Sequence, residues 1–258
     1  MESRMPKFKM VSGPVDSRRF GRAININFGL AGESCRWHCI YCEWRQAKTK
    51  KVPQPATLIP DPESILTRIR SLLMKESRPV NSVILGGNSE PTLYPDLFIL
   101  ANGLLKLKKD LAASWNLVCL TNAAGVDDPE MEKTLALLDD VWVKLDCADE
   151  ALFNRTNRPE PQNANDYKAH VRAIRTIPKL GIQTTLWKFE GKPGAQNWVA
   201  ENLRELLDLY RVLRPKIVHL TTLKRKPTSA ELKPVSHEEL DAFALRVAEL
   251  GIPVEVFS

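Results

Sequence analysis

No apolar run in this 258-residue chain approaches the roughly 18 residues that would suggest a membrane span, so no membrane partner is expected. The first ten residues are polar and basic, without the apolar core of a signal peptide. Cysteine is scarce. Five are present, three of them clustered, which argues against a secreted disulfide framework and makes the cytoplasm the expected compartment. Neither acids nor bases dominate: 37 Lys and Arg against 31 Asp and Glu leave +6, a surplus that permits an anionic partner without requiring one. Low-complexity segments and internal repeats are missing too. At 43% hydrophobic residues, the chain has enough apolar material for a sizeable core and is unlike a disordered one.

What is there is Cys35-Arg-Trp-His-Cys39-Ile-Tyr-Cys42, three thiols at the spacing C-x3-C-x2-C. A closed zinc site wants four ligands, and a cluster built for electron transfer usually has four thiolates. Three thiolates on a [4Fe–4S] cube leave one iron open to a substrate or cofactor. The alternatives are a zinc site completed by His38 and unpaired cytosolic thiols. Cys119 and Cys147 lie in or just after apolar strands and read as buried small residues.

Strand and helix signals alternate along the rest of the chain. Strands are predicted at 23–27, 82–85, 117–120, 141–145, 183–187, 216–220 and 253–257. Helices are predicted at 61–75, 95–113, 128–138, 167–180, 198–213 and 236–250. Asp61-Pro62-Glu63 starts the first of these and a Ser236/Glu239 capping box the last; Gly181 is expected to end the helix before it. Residues 43–60 and 146–165 read as loops. This pattern calls for parallel strands joined by right-handed crossovers. The expected fold class is α/β, an open partial (β/α)6 TIM-like barrel. It would form one domain, with 1–22 as an N-terminal extension and 23–258 as the barrel. The cysteine loop follows the first strand, where such a barrel keeps its chemistry.

Polar groups recur at the predicted strand ends. Gly86-Gly87-Asn88-Ser89-Glu90-Pro91-Thr92 follows the second strand, its two glycines allowing a sharp turn and close approach to a ligand. Asn122 follows the third. In Val141–Asp146, Lys144 and Asp146 share a face with Trp142, whereas a strand buried on both faces should be nearly all apolar. They read as a binding pair or a rim ion pair. Thr184, Thr185, His219, Thr221 and Thr222 are further polar groups, any of which could line the cavity, with His219 read equally as a hydrogen-bonded structural histidine.

With Tyr41 as the aromatic of C-x3-C-x-aromatic-C, the cysteine loop resembles that of the radical S-adenosylmethionine (radical SAM) superfamily. The resemblance implies the same partial barrel, a [4Fe–4S] cluster on Cys35, Cys39 and Cys42, and S-adenosyl-L-methionine on the open iron. Electron transfer would split the sulfonium and give a 5′-deoxyadenosyl radical that abstracts hydrogen. The implied cofactor contacts are Tyr41, Gly86, Gly87, Asn88, Glu90 and Asn122, with Lys144 and Asp146 as a further pair. The chain departs from the plain Gly-Gly-Glu form, since Glu90 comes three residues after Gly87, and Ser89 replaces the second Gly of a related Gly-x-Gly-Glu-Pro-Thr motif. Gly13-Pro14-Val15, Glu90-Pro91-Thr92, Lys144-Leu145-Asp146 and Asn157-Arg158-Pro159 resemble a subgroup of stand-alone iron–sulfur proteins. That subgroup is related to wyosine tRNA-modifying and molybdenum-cofactor cyclising enzymes.

The resemblance implies a flavodoxin- or ferredoxin-like electron donor; a large RNA or protein substrate is expected instead because a six-unit sheet is open on one side and few residues remain to cover its mouth. Three basic groups lie near active-face loops, the first preceding a strand and so able to sit elsewhere: Arg18, Arg19 and Arg22; Arg45, Lys48, Lys50 and Lys51; Lys224, Arg225 and Lys226. Trp37 and Trp44 would stack on bases. The competing functions are an iron–sulfur electron carrier, a cluster-binding regulator and a glycyl-radical activase. No residue is assigned to catalysis beyond the cofactor contacts.

Overall fold

The computed structural model describes residues 9–29, 35–42, 60–160, 167–190, 194–224 and 231–258. A single curled sheet runs through it in the order β1-β2-β3-β4-β5-β6-β7-β9. The strands are β1 (Val11–Ser17), β2 (Gly21–Ile26), β3 (Ser82–Gly86), β4 (Asn116–Thr121), β5 (Asp140–Lys144), β6 (Leu180–Phe189), β7 (Ile217–Thr222), β8 (Leu232–Pro234) and β9 (Val254–Phe257). From β2 to β7 and on to β9 every pairing is parallel. Helices cover the outside: α1 (Pro62–Lys75), α2 (Leu97–Asp110), α3 (Pro129–Ala136), α4 (Glu150–Thr156), α5 (Tyr167–Thr176), α6 (Ala200–Leu213) and α7 (His237–Ala248). The partial TIM-like barrel expected from the alternation is the observed architecture.

Local chemistry explains the boundaries. Asp61 caps α1, its Oδ1 accepting from Ser64 N at 2.9 Å, with Pro62 at the first helical position. Ser236 and Glu239 form the reciprocal box that opens α7. Ile24, Val83, Leu85, Leu117, Val141, Val143, Ile182 and Val218 face the helices and form the main core with Leu97, Leu104, Leu206 and Phe243. The opposite faces of the strands point into the barrel. Near its amino end they pack Ala23, Ile84, Val118 and Trp142 together, with Phe20 against them.

The structure departs from expectation at four places. The sheet begins at Val11, inside the segment read as an extension, because β1 pairs antiparallel with β2. Gly13-Pro14 masks this strand as a loop. Its proline, which cannot donate to a ladder, is tolerated on an edge strand beside a bulge between Ser12 and Val15. The 146–165 loop contains α4, a helix of seven residues whose Asp149 accepts from Ala151 N and Leu152 N at 2.8 and 3.0 Å. Gly181 does not end a helix. α5 stops at Thr176, and Gly181 lies within β6, where a Cβ would stand 2.8 Å from the Trp142 ring. The three-residue β8, paired with the end of β6, is too short to leave a periodic signal.

The turn between β1 and β2 closes the base of the barrel. Arg19 enters between Phe20 and Trp142, its Cζ 4.6 and 5.1 Å from the two ring centroids. It donates to His219 Nδ1 at 3.0 Å and to Gln183 Oε1 at 2.5 Å. Burial lowers the Arg19 pKa to about 9, which leaves it protonated at neutral pH. Arg18 donates to Ser258 O, and Arg22 pairs with Glu76 at 2.6 Å. This first basic group therefore lies at the amino ends of the strands, opposite the cysteine loop, and not at the mouth.

Candidate active site

The thiol loop follows β2 and is held by a distant part of the chain. Ile40 N donates to Thr156 O, His38 N to Asn157 O and Glu160 N to Arg36 O, at 2.8–2.9 Å. Trp37 and Pro159 form a bridge between the same two segments. Trp37 is 4% exposed and stands edge-on to Phe153 and His170 at 5.0 and 4.8 Å. It anchors the loop to α4 and α5 and is not presented for stacking on a base. Cys35 and Cys39 pack on this cluster and, like Cys42, are half-buried.

Two of the thiols receive a side-chain amide. Asn122 Nδ2 donates to Cys35 Sγ at 3.3 Å, and Asn157 Nδ2 to Cys39 Sγ at 3.5 Å. Burial, with Glu90 nearby, pushes the Cys35 thiol up to about 12. Burial and the neighbouring Cys35 push Cys39 up as well. Without a cation both thiols are held neutral; a bound metal's charge is what turns such groups into thiolates. His38 Nε2 faces Glu160 Oε1 at 3.4 Å. Among the described residues no group of three His, Cys, Asp or Glu side chains is drawn together as a single ion needs. Zinc requires its sulfurs about 2.3 Å from one point, whereas a cube spreads them over separate corners. The soft three-thiol donor set with its amide partners is compatible with an iron–sulfur cluster.

Glu90 is 2% exposed and ties the ends of β3 and β4 together. Its Oε1 accepts from Thr92 N at 3.0 Å, Thr92 Oγ1 at 2.7 Å and Thr121 Oγ1; its Oε2 accepts from Asn122 N at 2.7 Å. Burial raises its pKa and these donors pull it back. Asp146 is the matching junction after β5. Its Oδ1 accepts from Lys144 Nζ at 2.9 Å and Thr185 N at 2.7 Å. Its Oδ2 accepts from Tyr41 Oη at 2.5 Å and Asn157 Nδ2 at 3.5 Å. Both carboxylates are thus held by this chain's own donors, Asp146 with two on each oxygen and Glu90 with three on Oε1 and one on Oε2. Burial, followed by Asp146, raises the Tyr41 phenol well above its ordinary range, so it stays a donor.

Lys144 and Asp146 face the barrel interior as the strand pattern requires. The Lys144 ammonium also donates to Thr185 Oγ1 at 2.5 Å and lies 5.2 Å from the centre of the Tyr41 ring. Thr185 continues to Thr221 at 2.9 Å, so the polar residues of β5, β6 and β7 form one connected file. His219 lies lower, stacked on Trp142 and bonded to Arg19. Thr184 instead faces outward, bonded to Tyr210 Oη at 2.5 Å. Cys119 and Cys147 are buried as expected; Cys147 contacts Thr156 Oγ1 at 3.1 Å.

The Gly86–Asn88 turn has the features of a ligand cradle. Gly87 has φ +106°, and a Cβ there would meet nothing within 4 Å. The neighbouring Asn88 Oδ1 is buried without a partner, an acceptor awaiting a donor. Gly86, also at positive φ, has no such room: a Cβ would stand 2.7 Å from Leu120 O. Ser89 Oγ accepts from Phe28 N at 3.0 Å, joining this turn to the entry of the cysteine loop. The structure therefore gathers Tyr41, Asn122, Lys144 and Asp146 around the thiol loop and sets the glycine turn beside it.

Three asparagines escaped the sequence reading as site residues. Asn157 had been noticed only within Asn157-Arg158-Pro159. Asn197 donates to Asp146 O at 2.9 Å and Thr185 O at 2.7 Å, and Asn202 to Asp146 O at 3.3 Å. Both are buried and fix the bend after β5. The second and third basic groups fall largely outside the described residues: Arg45, Lys48, Lys50, Lys51, Arg225 and Lys226 all do, as does Trp44, leaving Lys224.

No protein-family model matches the chain. A "UPF0026 protein" of Helicobacter pylori (strain J99) is 26% identical over 231 residues, covering 90% of this chain and 71% of that protein. Among solved structures, TYW1 with a lysine-pyruvate adduct bound superposes with a TM-score of 0.64 at 16% identity, over 88% of this chain and 73% of that one. Streptococcus suis SuiB bound to precursor peptide SuiA gives 0.63 at 14% identity, over 90% of this chain but only 50% of SuiB. A radical SAM methyltransferase from Sphaerobacter thermophilus gives 0.61 at 14% identity, over 91% of this chain and 66% of that one. At such identities the likeness speaks for the fold, and the fold of this chain is the one these proteins share.

Proposed function

We propose that the protein is a radical SAM enzyme that acts on a macromolecular substrate, RNA or peptide. One observation carries the reading. Three thiols of one loop lie at the carboxyl end of a partial barrel, with Asn122 and Asn157 donating to two of them. Cys35, Cys39 and Cys42 would hold a [4Fe–4S] cluster, and S-adenosyl-L-methionine would take the remaining iron. When bound, this pair supplies a 5′-deoxyadenosyl radical for hydrogen abstraction.

The chain's own residues bind, orient and seal. Gly87 leaves open space for the methionine end, and Asn88 Oδ1 offers an acceptor for its amino group. Asn122, after β4 and bonded to Cys35, would border the cofactor's ribose. Glu90 and Asp146, with their oxygens occupied, hold strand ends in register for the cofactor more readily than they bind it. Lys144, Thr185 and Thr221 line the chamber toward the substrate. Arg19, Phe20 and Trp142 close the floor, so substrate enters from the thiol side.

A neighbour that holds a precursor peptide supports the peptide alternative. The RNA alternative loses Trp37 and the Arg18–Arg22 group as contacts, for the reasons given above. A one-electron donor of flavodoxin or ferredoxin type and a reducing cytoplasm suit an oxygen-sensitive cluster on thiols that form no disulfide. The test is anaerobic reconstitution followed by dithionite reduction with S-adenosyl-L-methionine. 5′-Deoxyadenosine should appear, and should be lost when Cys35, Cys39 and Cys42 are changed to Ala. Bound iron with no nucleoside product would favour the electron-carrier alternative.

A further inference from the structure

We infer that Asn122 and Asn157 are positioning residues that set the electron affinity of the cluster, each through an N–H···S bond to a different cysteine. The inference rests on the cluster reading above and adds what tunes that cluster. Reduction adds one electron, drawn from the proposed flavodoxin- or ferredoxin-class donor, and places extra negative charge on the iron–sulfur core and its thiolates. A donor dipole aimed at a sulfur stabilises the reduced state more than the oxidised one, and hydrogen bonds to the sulfurs are among the factors that set such potentials.

The geometry fixes both amides. Asn122 Oδ1 accepts from Ala124 N at 3.0 Å, which turns its Nδ2 toward Cys35. Asn157 Oδ1 accepts from the Cys147 thiol at 3.7 Å, which turns its Nδ2 toward Cys39, while the Thr156 hydroxyl gives its one proton to Leu152 O at 2.7 Å. The same Nδ2 also faces Tyr41 Oη at 3.3 Å and Asp146 Oδ2 at 3.5 Å, neither of which would accept the reversed amide: the phenol already donates to Asp146, and a carboxylate only accepts. Asn122 is 7% and Asn157 1% exposed. Water does not compete for the sulfurs at these points, and the low local dielectric strengthens each dipole. The two donors come from separate parts of the chain, the end of β4 and the end of α4, so they act on the loop from two sides. Neither is needed to complete the ligand set, which distinguishes them from the cysteines.

The experiment uses the full chain, reconstituted anaerobically, with Asn122→Ala and Asn157→Ala. Iron and sulfide content is read first, then the one-electron midpoint potential by EPR-monitored titration. Each variant should keep its cluster and show about a tenfold lower ratio of reduced to oxidised cluster at a fixed poise, which is about 59 mV more negative for a one-electron couple. Phe153→Leu, which disturbs the packing beneath the loop and removes no sulfur donor, should leave the potential in place. Full clusters with unchanged potentials in both Asn variants would overturn the inference while leaving the cluster reading intact. Should the variants lose iron, wild-type protein labelled with 15N-asparagine decides: pulsed EPR of the reduced cluster should show amide 15N coupling, and its absence overturns the inference. Wild-type protein that retains no iron or sulfide would remove the cluster reading itself.

Discussion

Glu90→Gln separates a structural carboxylate from a cofactor ligand. In the fold, four donors converge on Glu90, three of them on Oε1 and Asn122 N on Oε2. A glutamine is nearly the same shape but brings an NH2 of its own. Its carbonyl must keep Oε1, with three donors, so the NH2 is directed at the Asn122 N–H. One charge-assisted bond is then lost and two donors are set against each other in a buried place. A hydrogen bond to a charged group contributes about 1.5–3 kcal/mol, and the remaining three weaken as the charge is removed. The expected loss is about 2–4 kcal/mol of stability in the cluster-free protein. For a chain of this size each kcal/mol moves the melting point by about 2–4 °C, so a fall of roughly 10 °C is expected. Differential scanning calorimetry without cofactor, backed by a urea midpoint, reads it directly. If Gln leaves the cofactor-free midpoint within about 1 °C of wild type and only weakens S-adenosyl-L-methionine binding, Glu90 is a ligand and this reasoning fails.

Three other outcomes are expected. Gly87→Val should weaken S-adenosyl-L-methionine binding at least tenfold, by equilibrium dialysis, while iron content holds: the positive φ costs about 1–3 kcal/mol, and the side chain enters space the fold leaves open. Gly181→Ala should destabilise by about 1–3 kcal/mol in urea, since its Cβ would press on the buried Trp142 ring at 2.8 Å; unchanged stability would mean the ring has room to shift. The third concerns pH. Burial holds His219 and His170 neutral, with pKa values lowered from 6.5 to about 3 and about 4. The unfolded chain therefore binds more protons below about pH 6.5, and stability that is intact above that value is lost as pH falls toward 4 and then 3. At one unit per about 1.4 kcal/mol, the two together account for several kcal/mol. Glu255, 3.4 Å from His219 Nε2, and Arg19 on its other nitrogen act in opposite senses on that site. His219→Gln should flatten part of the slope in urea titrations between pH 6.5 and 4, and an unaltered slope would show that His219 is not held neutral.

The fold was legible because its signals are repeated. Each strand is a short apolar run and each helix an apolar stripe, and a uniform alternation of the two leaves few topologies. What failed were single-residue signals read by habit. Gly13-Pro14 marks an irregular edge strand as readily as a loop, and Gly181 marks a close approach to a tryptophan as readily as a helix end. α4 and β8 are too short for periodicity to register. For the site, the cysteine spacing is local and stood out at once. The amides that serve those cysteines are far away in sequence, 87 residues in one case and 118 in the other. An asparagine after a strand or helix reads as an ordinary turn former, and only folding shows that its side chain points at sulfur.

The two carboxylates show where the sequence rule itself stops. An acid at the end of a strand buried on both faces breaks the apolar pattern, so Asp146 was singled out with Lys144 as a binding pair or a rim ion pair, and Glu90 only through its likeness to a Gly-Gly-Glu motif. Burying an ionised carboxylate costs several kcal/mol unless donors satisfy it, and this chain supplies four to each. A carboxylate so satisfied can join elements that no backbone ladder reaches. Glu90 joins the turn after β3 to the end of β4, and Asp146 joins β5, β6, the thiol loop and the residue ending α4. Because parallel strands present their carboxyl ends side by side, such junctions lie where a cofactor would also lie. The sequence pattern therefore locates the site through the groups that brace it, and leaves the contacts themselves to the glycine turn, the thiols and the amides between them.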